Sequence, residues 1–491
     1  MVSKLFTVDD CPSGLFLNNE WIPGEGEPLR FTNSADGELV DIPPLHTATA
    51  SDIDKAVSYA QAAFTGEWST FSGEKRGLLL HKLADLIIEH AEELAYFESR
   101  CSGIPISFVR RGIPSMASVF RYYAGWADKY KGDYFPPTDG FYKIVEHEPI
   151  GVCAGITAWN ASLLFLAWKS APALATGNTI IIKPSEKSPL GTLAVGYLVS
   201  KAGFPPGVLQ VVIGEGLTGH LLSSHMKINK VSFTGSTTTG RKIQDAATKS
   251  NLKRVTLELG GKSPAVVFDD ADMQKTLFWC SFGITGNTGQ VCAATSRLFV
   301  QETIAEQFVN SLKESFQAIA EGMGGDPLNP ATTYGPVIDK LQYDRVSEFI
   351  QTAKHDLAPA VGGEVYRGKG YYIPPTIFLN PPEDAKVYRE EVFGPVLCIK
   401  TFKTEAEAIQ LANDTDYGLA GSVYTQDLKR ALRVSRAIRG GTIGVNCASV
   451  VGPQVPMGGF KLSGVGREMG EYALRHYTEP KSIWISNYSA A

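Results

Sequence analysis

A cysteine, a glutamate and an asparagine have sequence surroundings that suit covalent catalysis. Cys292 lies in the polar, glycine-containing stretch GNTGQVCAATSR at 286–297, where a partly exposed thiolate can act as a nucleophile. The alternative is a small hydrophobic residue packed in a turn. Glu258 lies in an apolar run before two glycines, so its carboxylate is either one member of a buried ion pair or a base with a shifted pKa. Asn160 is either a helix N-cap or an amide donor to an oxyanion.

The segments around these residues alternate between short apolar runs and helical patterns. Apolar runs lie at 151–159, 179–186, 208–214 and 230–236, and helical patterns lie between and after them near 162–176, 190–202, 217–224 and 238–249. This alternation predicts βαβ units and a parallel sheet, whose ligands bind at the carboxyl ends of the strands. Another apolar run at 254–268 contains a Gly-Gly break, and a second alternating stretch covers 295–450.

Outside this region, the apolar spacing predicts two amphipathic helices, at 51–64 and 74–98. Ser51 and Asp54 are predicted to form a capping box at the start of the first helix. The segment SIWIS at 482–486 is predicted to be a lone strand, which would pair with a partner subunit.

Bulk composition excludes several classes of protein. The chain has 491 residues, enough for two or three compact units, and 44% of them are hydrophobic. The net charge of -5 gives no basic surface for nucleic acid, and no apolar run reaches the roughly 18 residues that a membrane span needs. Seven scattered cysteines without a CxxC motif predict neither a disulfide framework nor a metal site. Because residues 1–15 lack an apolar signal core, we expect a cytoplasmic protein.

A colinear set of motifs resembles the aldehyde dehydrogenase superfamily, in its NAD(P)-dependent, non-acylating form, over nearly the whole chain. The motifs are LFLNNEW (15–21), GVCAGITAWN (151–160), KPSE (183–186), FTGST (233–237), LELGGKSP (257–264), NTGQVC (287–292), EEVFGPV (390–396) and MGGFKLSGVGREMGEYAL (457–474). The resemblance implies an α/β fold with a Rossmann-type cofactor domain at 1–127 and 150–257. It also implies an α/β catalytic domain at 258–457 and a small β oligomerisation arm at 128–149 and 475–491, in a homodimer or homotetramer.

The resemblance further implies oxidation of an aldehyde to a carboxylic acid. Cys292 would attack the aldehyde carbon, while the Asn160 side chain and the Cys292 N–H hold the oxyanion of the thiohemiacetal. Hydride then passes to the nicotinamide, and Glu258 activates the water that hydrolyses the thioester. Lys169 would line the same groove, with a solvated helix lysine as the alternative. Glu468 matches a second carboxylate proposed for proton relay in some members, with a salt-bridged structural residue as the alternative.

The cofactor contacts implied by the resemblance lie along the predicted parallel sheet. They are Ile156, Thr157, Trp159, Lys183, Glu186, Gly216, Gly235, Ser236, Gly240, Leu259, Glu391 and Phe393. Lys183 and Glu186 would hold the adenosine ribose, and Gly235 and Ser236 the pyrophosphate. A carboxylate at Glu186 would repel a 2′-phosphate, so we expect a preference for NAD, with NADP possible.

The sequence departs from the family pattern along the substrate tunnel. The tunnel residues implied by the resemblance are Ala161, Phe165, Gly286, Val291, Val451 and Met457. At 161, 286, 451 and 457 aromatic side chains are frequent in the family, so their loss predicts a wide tunnel and a bulky aldehyde. The alternative is that Phe165, Tyr122 and Tyr123 fill the vacated volume.

Two other functions fit parts of the sequence. A thioester-forming hydrolase or acyltransferase would use Cys292 without redox chemistry, yet it needs no dinucleotide groove of the kind that KPSE and EEVFGPV imply. A non-catalytic structural protein of the same fold would have no need of an intact Cys292, Glu258 and Asn160.

Overall fold

The computed structural model describes residues 14–40, 42–448 and 450–487. The N-terminal segment without a signal core lies almost entirely outside these residues, as do the first residues of the predicted cofactor domain and the last residues of the predicted arm. Within the described ranges, no helix has both the length and the apolar character that crossing a membrane requires.

Strands and helices alternate through most of the chain. The strands are β1 (Leu15–Leu17), β2 (Glu20–Ile22), β3 (Pro28–Leu29), β4 (Leu45–His46), β5 (Asp133–Phe135), β6 (Phe141–Pro149), β7 (Val152–Ile156), β8 (Thr179–Lys183), β9 (Leu209–Val211), β10 (Lys230–Thr234), β11 (Arg254–Glu258), β12 (Ser263–Val267), β13 (Thr295–Gln301), β14 (Thr376–Leu379), β15 (Val396–Phe402), β16 (Ala420–Tyr424), β17 (Thr442–Val445), β18 (Gly464–Val465) and β19 (Thr478–Ser486). The helices are α1 (Ala50–Thr65), α2 (Gly73–Glu89), α3 (Ala91–Ser102), α4 (Ile106–Ala124), α5 (Ser162–Ala175), α6 (Leu190–Ala202), α7 (Gly216–Ser224), α8 (Thr237–Lys249), α9 (Met273–Thr285), α10 (Ala305–Glu321), α11 (Lys340–Lys354), α12 (Lys386–Arg389), α13 (Glu405–Asn413) and α14 (Leu428–Ala437).

The first sheet contains the predicted βαβ units. Its strand order is β18-β11-β10-β7-β8-β9-β1-β2, and β7 to β11 run parallel to one another. Helices α5 to α8 connect these parallel strands, which confirms the alternation predicted from the sequence. β7 and β8 are buried along their whole length, as expected of parallel strands covered on both faces.

A glycine pair separates this sheet from the second one. β11 ends at Glu258, and β12 begins a six-stranded parallel sheet of order β14-β15-β13-β12-β16-β17. A Cβ atom at Gly260 would lie 2.2 Å from Glu391 Oε2, and one at Gly261 would lie 2.3 Å from the Cys292 carbonyl oxygen. Only glycine allows the link between the sheets to pass this close to both residues.

The C-terminal strand corrects one prediction. The segment 482–486 is not a lone strand, because it forms part of β19, which pairs antiparallel with β6 of the same chain from Thr478–Pro149 to Ser486–Phe141. β5 lies on the other side of β6, giving a three-stranded sheet of order β19-β6-β5. The partner strand is more than 300 residues away in sequence, so local pattern could not reveal it.

Two details of the N-terminal helices also differ from the prediction. The helix predicted at 74–98 is two helices, α2 and α3, which meet at His90 with φ -102° and ψ 23°. The apolar spacing runs on across this break because both helices bury residues in the same core. The capping box of α1 is formed by Thr49 and Asp52 instead of Ser51 and Asp54, with Asp52 Oδ2 accepting from Thr49 N at 3.0 Å.

Candidate active site

A cavity of about 530 Å³ brings the three predicted chemical residues together. Asn160, Glu258 and Cys292 all line it, at the carboxyl-terminal edge of the first sheet. Two loops complete the arrangement: the turn after β7 carries Asn160, and the turn before β13 carries Cys292. Parallel strands converge at this edge, so residues distant in sequence meet there.

Cys292 lies in a turn that strained backbone holds in place. The preceding 3₁₀ turn contains Asn287 and Thr288 at φ 48° and 54°, and Gly289 passes so close to Gly394 that a Cβ would meet its carbonyl oxygen at 2.2 Å. Cys292 is partly exposed. Burial of the sulfur raises the pKa of the Cys292 thiol, and the carboxylates of Glu258 and Glu391 raise it further. The thiol therefore needs a nearby base to become a nucleophile.

Asn160 is tied to the nucleophile turn and is not a helix cap. It lies within a 3₁₀ turn at Trp159–Ala161, ahead of α5. Its Nδ2 donates to the Gln290 carbonyl oxygen at 3.0 Å, and Asn287 Nδ2 donates to the Asn160 carbonyl oxygen at 3.2 Å. The Gln290 side chain is held in turn, because its Oε1 accepts from Ile338 N at 2.9 Å. The amide therefore has a fixed position beside the turn that carries the thiol.

Glu258 is a buried carboxylate that lacks an ion-pair partner among the described residues. It is 2% exposed, and its Oε1 accepts no hydrogen bond within the part of the chain that the structure covers. Burial raises the pKa of Glu258 well above its ordinary value, and the negative charge of Glu468 adds to this, while Lys169 opposes it. Of the two predicted alternatives, this geometry fits the base with a shifted pKa.

Lys169 and Glu468 form a buried pair behind the cavity. Lys169 Nζ donates to Glu468 Oε1 at 2.5 Å and to Thr234 Oγ1 at 2.7 Å, and Ser232 Oγ donates to the same Glu468 oxygen at 2.9 Å. Lys169 is fully buried, so it is not a solvated helix lysine, and it lies behind the groove without lining it. Glu468 is salt-bridged, as the structural alternative required, yet its Oε2 has no partner in the described ranges.

The adenosine end of the predicted cofactor groove lies beside the cavity. Lys183 ends β8, with its Nζ 3.6 Å from Glu186 Oε2, and burial lowers the pKa of Lys183. Gly216 begins α7, and a Cβ atom there would meet nothing within 4 Å. One turn later, Gly219 faces the side chains of Ile156 and Lys183. Gly216 is exposed, so a side chain there would meet only open space, whereas Ile156 and Lys183 are buried at the ends of β7 and β8.

The pyrophosphate position lies at the start of α8. Ser236 caps this 13-residue helix, its Oγ accepting from Thr239 N at 3.2 Å, and residues 235–239 line the cavity. Gly240 in the first turn packs against Leu259, since a Cβ would come within 2.7 Å of the Leu259 side chain. The free N–H groups of a helix N-terminus favour a bound phosphate.

Glu391 and Phe393, two of the predicted cofactor contacts, line the same cavity. Glu391 Oε1 accepts from Gly261 N at 2.8 Å, and burial raises the pKa of Glu391 to about 7. Phe393 adopts φ 59°, and its ring makes a T-shaped contact with Trp159 at 5.4 Å. Thr157 lies one residue beyond β7, where its N–H donates to the Lys183 carbonyl oxygen at 3.0 Å.

Sequence reasoning missed two residues that hold this end together. Gln342 Nε2 donates to the Phe393 carbonyl oxygen at 2.7 Å, and Arg345 donates to the Glu391 carbonyl oxygen at 2.8 Å. Both side chains line the cavity and come from α11. They are about 50 residues away in sequence from the segment they support, and the sequence around them contains no motif that would identify them.

Comparison with known proteins decides what kind of site this is. The model of the aldehyde dehydrogenase family matches residues 21–483. The chain belongs to this family. An aldehyde dehydrogenase of Davidiella tassiana is 47% identical over 477 residues, covering 96% of this chain and 95% of the relative. Human retinal dehydrogenase 2 is 45% identical over 477 residues, covering 96% and 91%. A solved aldehyde dehydrogenase from Bacillus cereus, in complex with NAD+, superposes with a TM-score of 0.93 at 38% identity, covering 96% of each chain.

Family membership makes this chain an NAD-dependent aldehyde dehydrogenase, an oxidoreductase that oxidises a small-molecule aldehyde. The solved relatives also establish its α/β aldehyde dehydrogenase fold. The domain bounds predicted from the sequence remain predictions, although the predicted boundary between 257 and 258 falls inside β11.

The predicted substrate-tunnel residues of this aldehyde dehydrogenase divide between two cavities. Phe165 lines the main cavity, whereas Val451 and Met457 line a second one of about 140 Å³ that also takes in Ala293, next to the nucleophile. The remaining three, Ala161, Gly286 and Val291, line neither of these.

One neighbouring ring covers a position where an aromatic side chain is missing. The Phe282 ring would lie 3.4 Å from a Cβ at Gly286, so it covers that position from one turn earlier. Tyr123 is buried, with its hydroxyl donating to the Gly470 carbonyl oxygen at 2.9 Å. Tyr122 packs against Tyr123 and Trp126 and lines neither cavity.

Proposed function

We propose that this aldehyde dehydrogenase oxidises its substrate through a covalent thioester on Cys292, with NAD preferred over NADP. The observation that carries the proposal is the grouping of a raised-pKa carboxylate, a tethered amide and a partly exposed thiol in one cavity. An ordinary hydrolase would leave the α8 N-terminus, which lines the cavity, without a use.

The residues of the groove fit a dinucleotide. The space beyond Gly216 is open, the α8 N-terminus faces the cavity, and Glu391 lies on the same side as Cys292. When bound, NAD supplies the acceptor for the hydride that leaves the aldehyde carbon. Glu186 favours NAD because its carboxylate can accept hydrogen bonds from ribose hydroxyls and would repel a 2′-phosphate.

The first chemical step depends on the cavity's three side chains. Glu258 takes the thiol proton of Cys292, whose own pKa is too high for it to ionise unaided. The Cys292 sulfur then bonds to the aldehyde carbon, and the carbonyl oxygen becomes an oxyanion. Asn160 Nδ2 donates one hydrogen to Gln290 and has a second for this oxyanion, together with the Cys292 N–H.

The second step removes the acyl group. Glu258 first releases the thiol proton, which is the one proton that the overall oxidation gives off. It then takes a proton from water, which attacks the thioester carbon, and passes this proton to the Cys292 sulfur as the carboxylic acid leaves. The buried Lys169–Glu468 pair lies close enough to Glu258 to change its pKa. We assign this pair to proton transfer away from Glu258, since Glu468 Oε2 is buried without a partner in the described residues.

The substrate is proposed to be a bulky aldehyde. Support comes from the predicted tunnel residues Val451 and Met457, which line the second cavity together with Ala293, next to the nucleophile. The oligomeric state, a homodimer or homotetramer, and the cytoplasmic location remain predictions.

The deciding experiment for the mechanism is trapping of the acyl-enzyme. Enzyme with NAD and excess aldehyde is quenched in acid, digested and analysed by mass spectrometry for an acyl group on Cys292. Cys447, which is also partly exposed, serves as the internal control cysteine. An acyl group on Cys447 and none on Cys292 would overturn the proposal.

A further inference from the structure

A second buried carboxylate, Glu98, contacts the backbone two residues beyond Asn160. It lies on α3 and is 3% exposed. Its Oε2 accepts from Ser162 Oγ at 2.6 Å, and its Oε1 accepts from Ser162 N at 3.3 Å. Ser162 is the first residue of α5 and is fully buried. One carboxylate therefore satisfies both polar hydrogens of a residue next to the active-site turn.

A glycine on α6 leaves room for the Glu98 carboxylate. A Cβ atom at Gly191, on α6, would lie 3.1 Å from Glu98 Oε2, so α6 approaches the carboxylate closely because it has glycine there. The start of α5 has no side-chain cap of its own. Glu98 takes over that task from another helix, and an acceptor at a helix N-terminus fixes the direction in which the chain enters the helix.

We propose that Glu98 is a positioning residue, which holds the Asn160 amide in its oxyanion-binding position by fixing Ser162. This proposal rests on the role of Asn160 given above. The Asn160 turn is then held on both sides: Asn287 and Gln290 bind it from the nucleophile turn, and Glu98 binds the chain where it leaves for α5. A donor displaced from its site loses most of its effect on an oxyanion.

This positioning depends on pH. Burial raises the pKa of Glu98 to about 7, against the two hydrogen bonds from Ser162. The contacts described above come from Ser162 on α5 and Gly191 on α6, neither of them ionisable, and no ion pair to Glu98 occurs in the described ranges. An ionised Glu98 accepts two charge-assisted bonds from Ser162, whereas a protonated one keeps Ser162 Oγ only by reversing that bond, and both bonds become weaker because neither partner is charged.

The test uses E98Q, because glutamine resembles the protonated carboxyl. Steady-state kinetics with NAD and the best of acetaldehyde, hexanal and benzaldehyde are measured between pH 6 and 9, beside thermal unfolding. We expect E98Q to lose about tenfold in kcat at pH 8 without a change in the KM for NAD, and to lose the part of the wild-type rise in kcat that is centred near pH 7, while the part due to Glu258 remains. Its unfolding temperature at pH 8 should equal or exceed that of wild type, because a buried charge has been removed.

Two further variants separate positioning from folding. S162A removes one of the two bonds and should lower kcat about threefold at pH 8. S102A removes the bond from Ser102 Oγ to the Glu98 carbonyl oxygen, so it should lower stability and leave the pH profile of kcat unchanged. The proposal is overturned if kcat of E98Q at pH 8 stays within twofold of wild type, or if its kcat and stability fall together at every pH. Failure of the thioester mechanism is seen separately, as turnover retained by C292A.

Discussion

The catalytic end of the cavity and its substrate wall are built in opposite ways. At the catalytic end, the hydrogen bonding of each side chain defines its role. Asn160 donates to Gln290, and Glu258 Oε1 has no hydrogen-bond partner among the described residues. At the wall, Ala161 has a small side chain and Gly286 has none, so the size of the space beside them depends on how closely the neighbouring residues pack. A substitution at the catalytic end should therefore greatly slow one chemical step. A substitution at the wall should change the preference among substrates by a smaller factor.

The steepest effect is expected at the nucleophile. C292A should lower aldehyde oxidation by more than about 10³-fold, because the thiol forms the covalent bond, while the Kd for NAD stays nearly unchanged. Turnover is measured by NADH absorbance and the Kd by fluorescence titration. C447A is the control, since Cys447 is also partly exposed among the cysteines that the structure describes. Residual turnover of C292A within tenfold of wild type would contradict the assignment.

The next largest effect separates the two halves of the reaction at Glu258. E258Q should slow deacylation by about 10²-fold or more and acylation less, because water is far less acidic than a thiol and needs the base more. The expected signature in stopped-flow absorbance is a burst of NADH followed by very slow turnover. An unchanged steady-state rate would remove Glu258 from the mechanism.

The raised pKa of Glu258 gives this prediction a pH dependence with a defined sign. Wild-type kcat should rise with pH as Glu258 ionises, and E258Q should lose this rise. A carboxyl whose pKa is raised in the folded state binds more protons there than in the unfolded state. Its contribution to the free energy of unfolding therefore falls as pH increases from the ordinary pKa of the carboxyl to its raised pKa. E258Q should therefore unfold at a higher temperature than wild type at pH 8. An inactive E258Q that is also less stable would point to a structural role.

Much of this catalytic end could be predicted from the sequence, for a physical reason. Glu258 and Gly260 belong to one local segment whose types and spacing the chemistry requires, and the parallel strands carry such segments to one edge. The supports could not be predicted, because Gln342 and Arg345 come from α11 and Glu98 from α3. Those contacts depend on tertiary packing between distant helices. The same limit explains the strand at 482–486, whose partner β6 lies far away in sequence.

A smaller effect is expected at the adenosine end, where Glu186 sets the cofactor preference. E186Q removes the charge that repels a 2′-phosphate, and Lys183, 3.6 Å away, would then face that phosphate unopposed. The ratio of kcat/KM for NADP to that for NAD should rise about tenfold. D245N, at an exposed ion pair on α8, is the matched control and should leave the ratio unchanged. A wild-type enzyme that already favours NADP would refute the role given to Glu186.

The smallest effect is expected at the substrate wall, and it decides whether the missing aromatics matter. A161F restores a ring that covers about 150–250 Å². If the space beside Ala161 holds substrate, kcat/KM for a polycyclic aldehyde should fall about tenfold, while the value for acetaldehyde changes by less than about twofold.

Wild type itself should prefer large aldehydes, because small ones leave the apolar wall unfilled and lose burial worth about 25 cal/mol per Å². The measurement is kcat/KM across straight-chain, aromatic and polycyclic aldehydes, with the KM for NAD as the control for an intact groove. The interpretation that the tunnel is wide fails if acetaldehyde is the best substrate or if A161F does not change kcat/KM for large aldehydes. In that case rings such as Phe282, which already covers Gly286, have closed the space, and the wall is as narrow as one built from the usual aromatics.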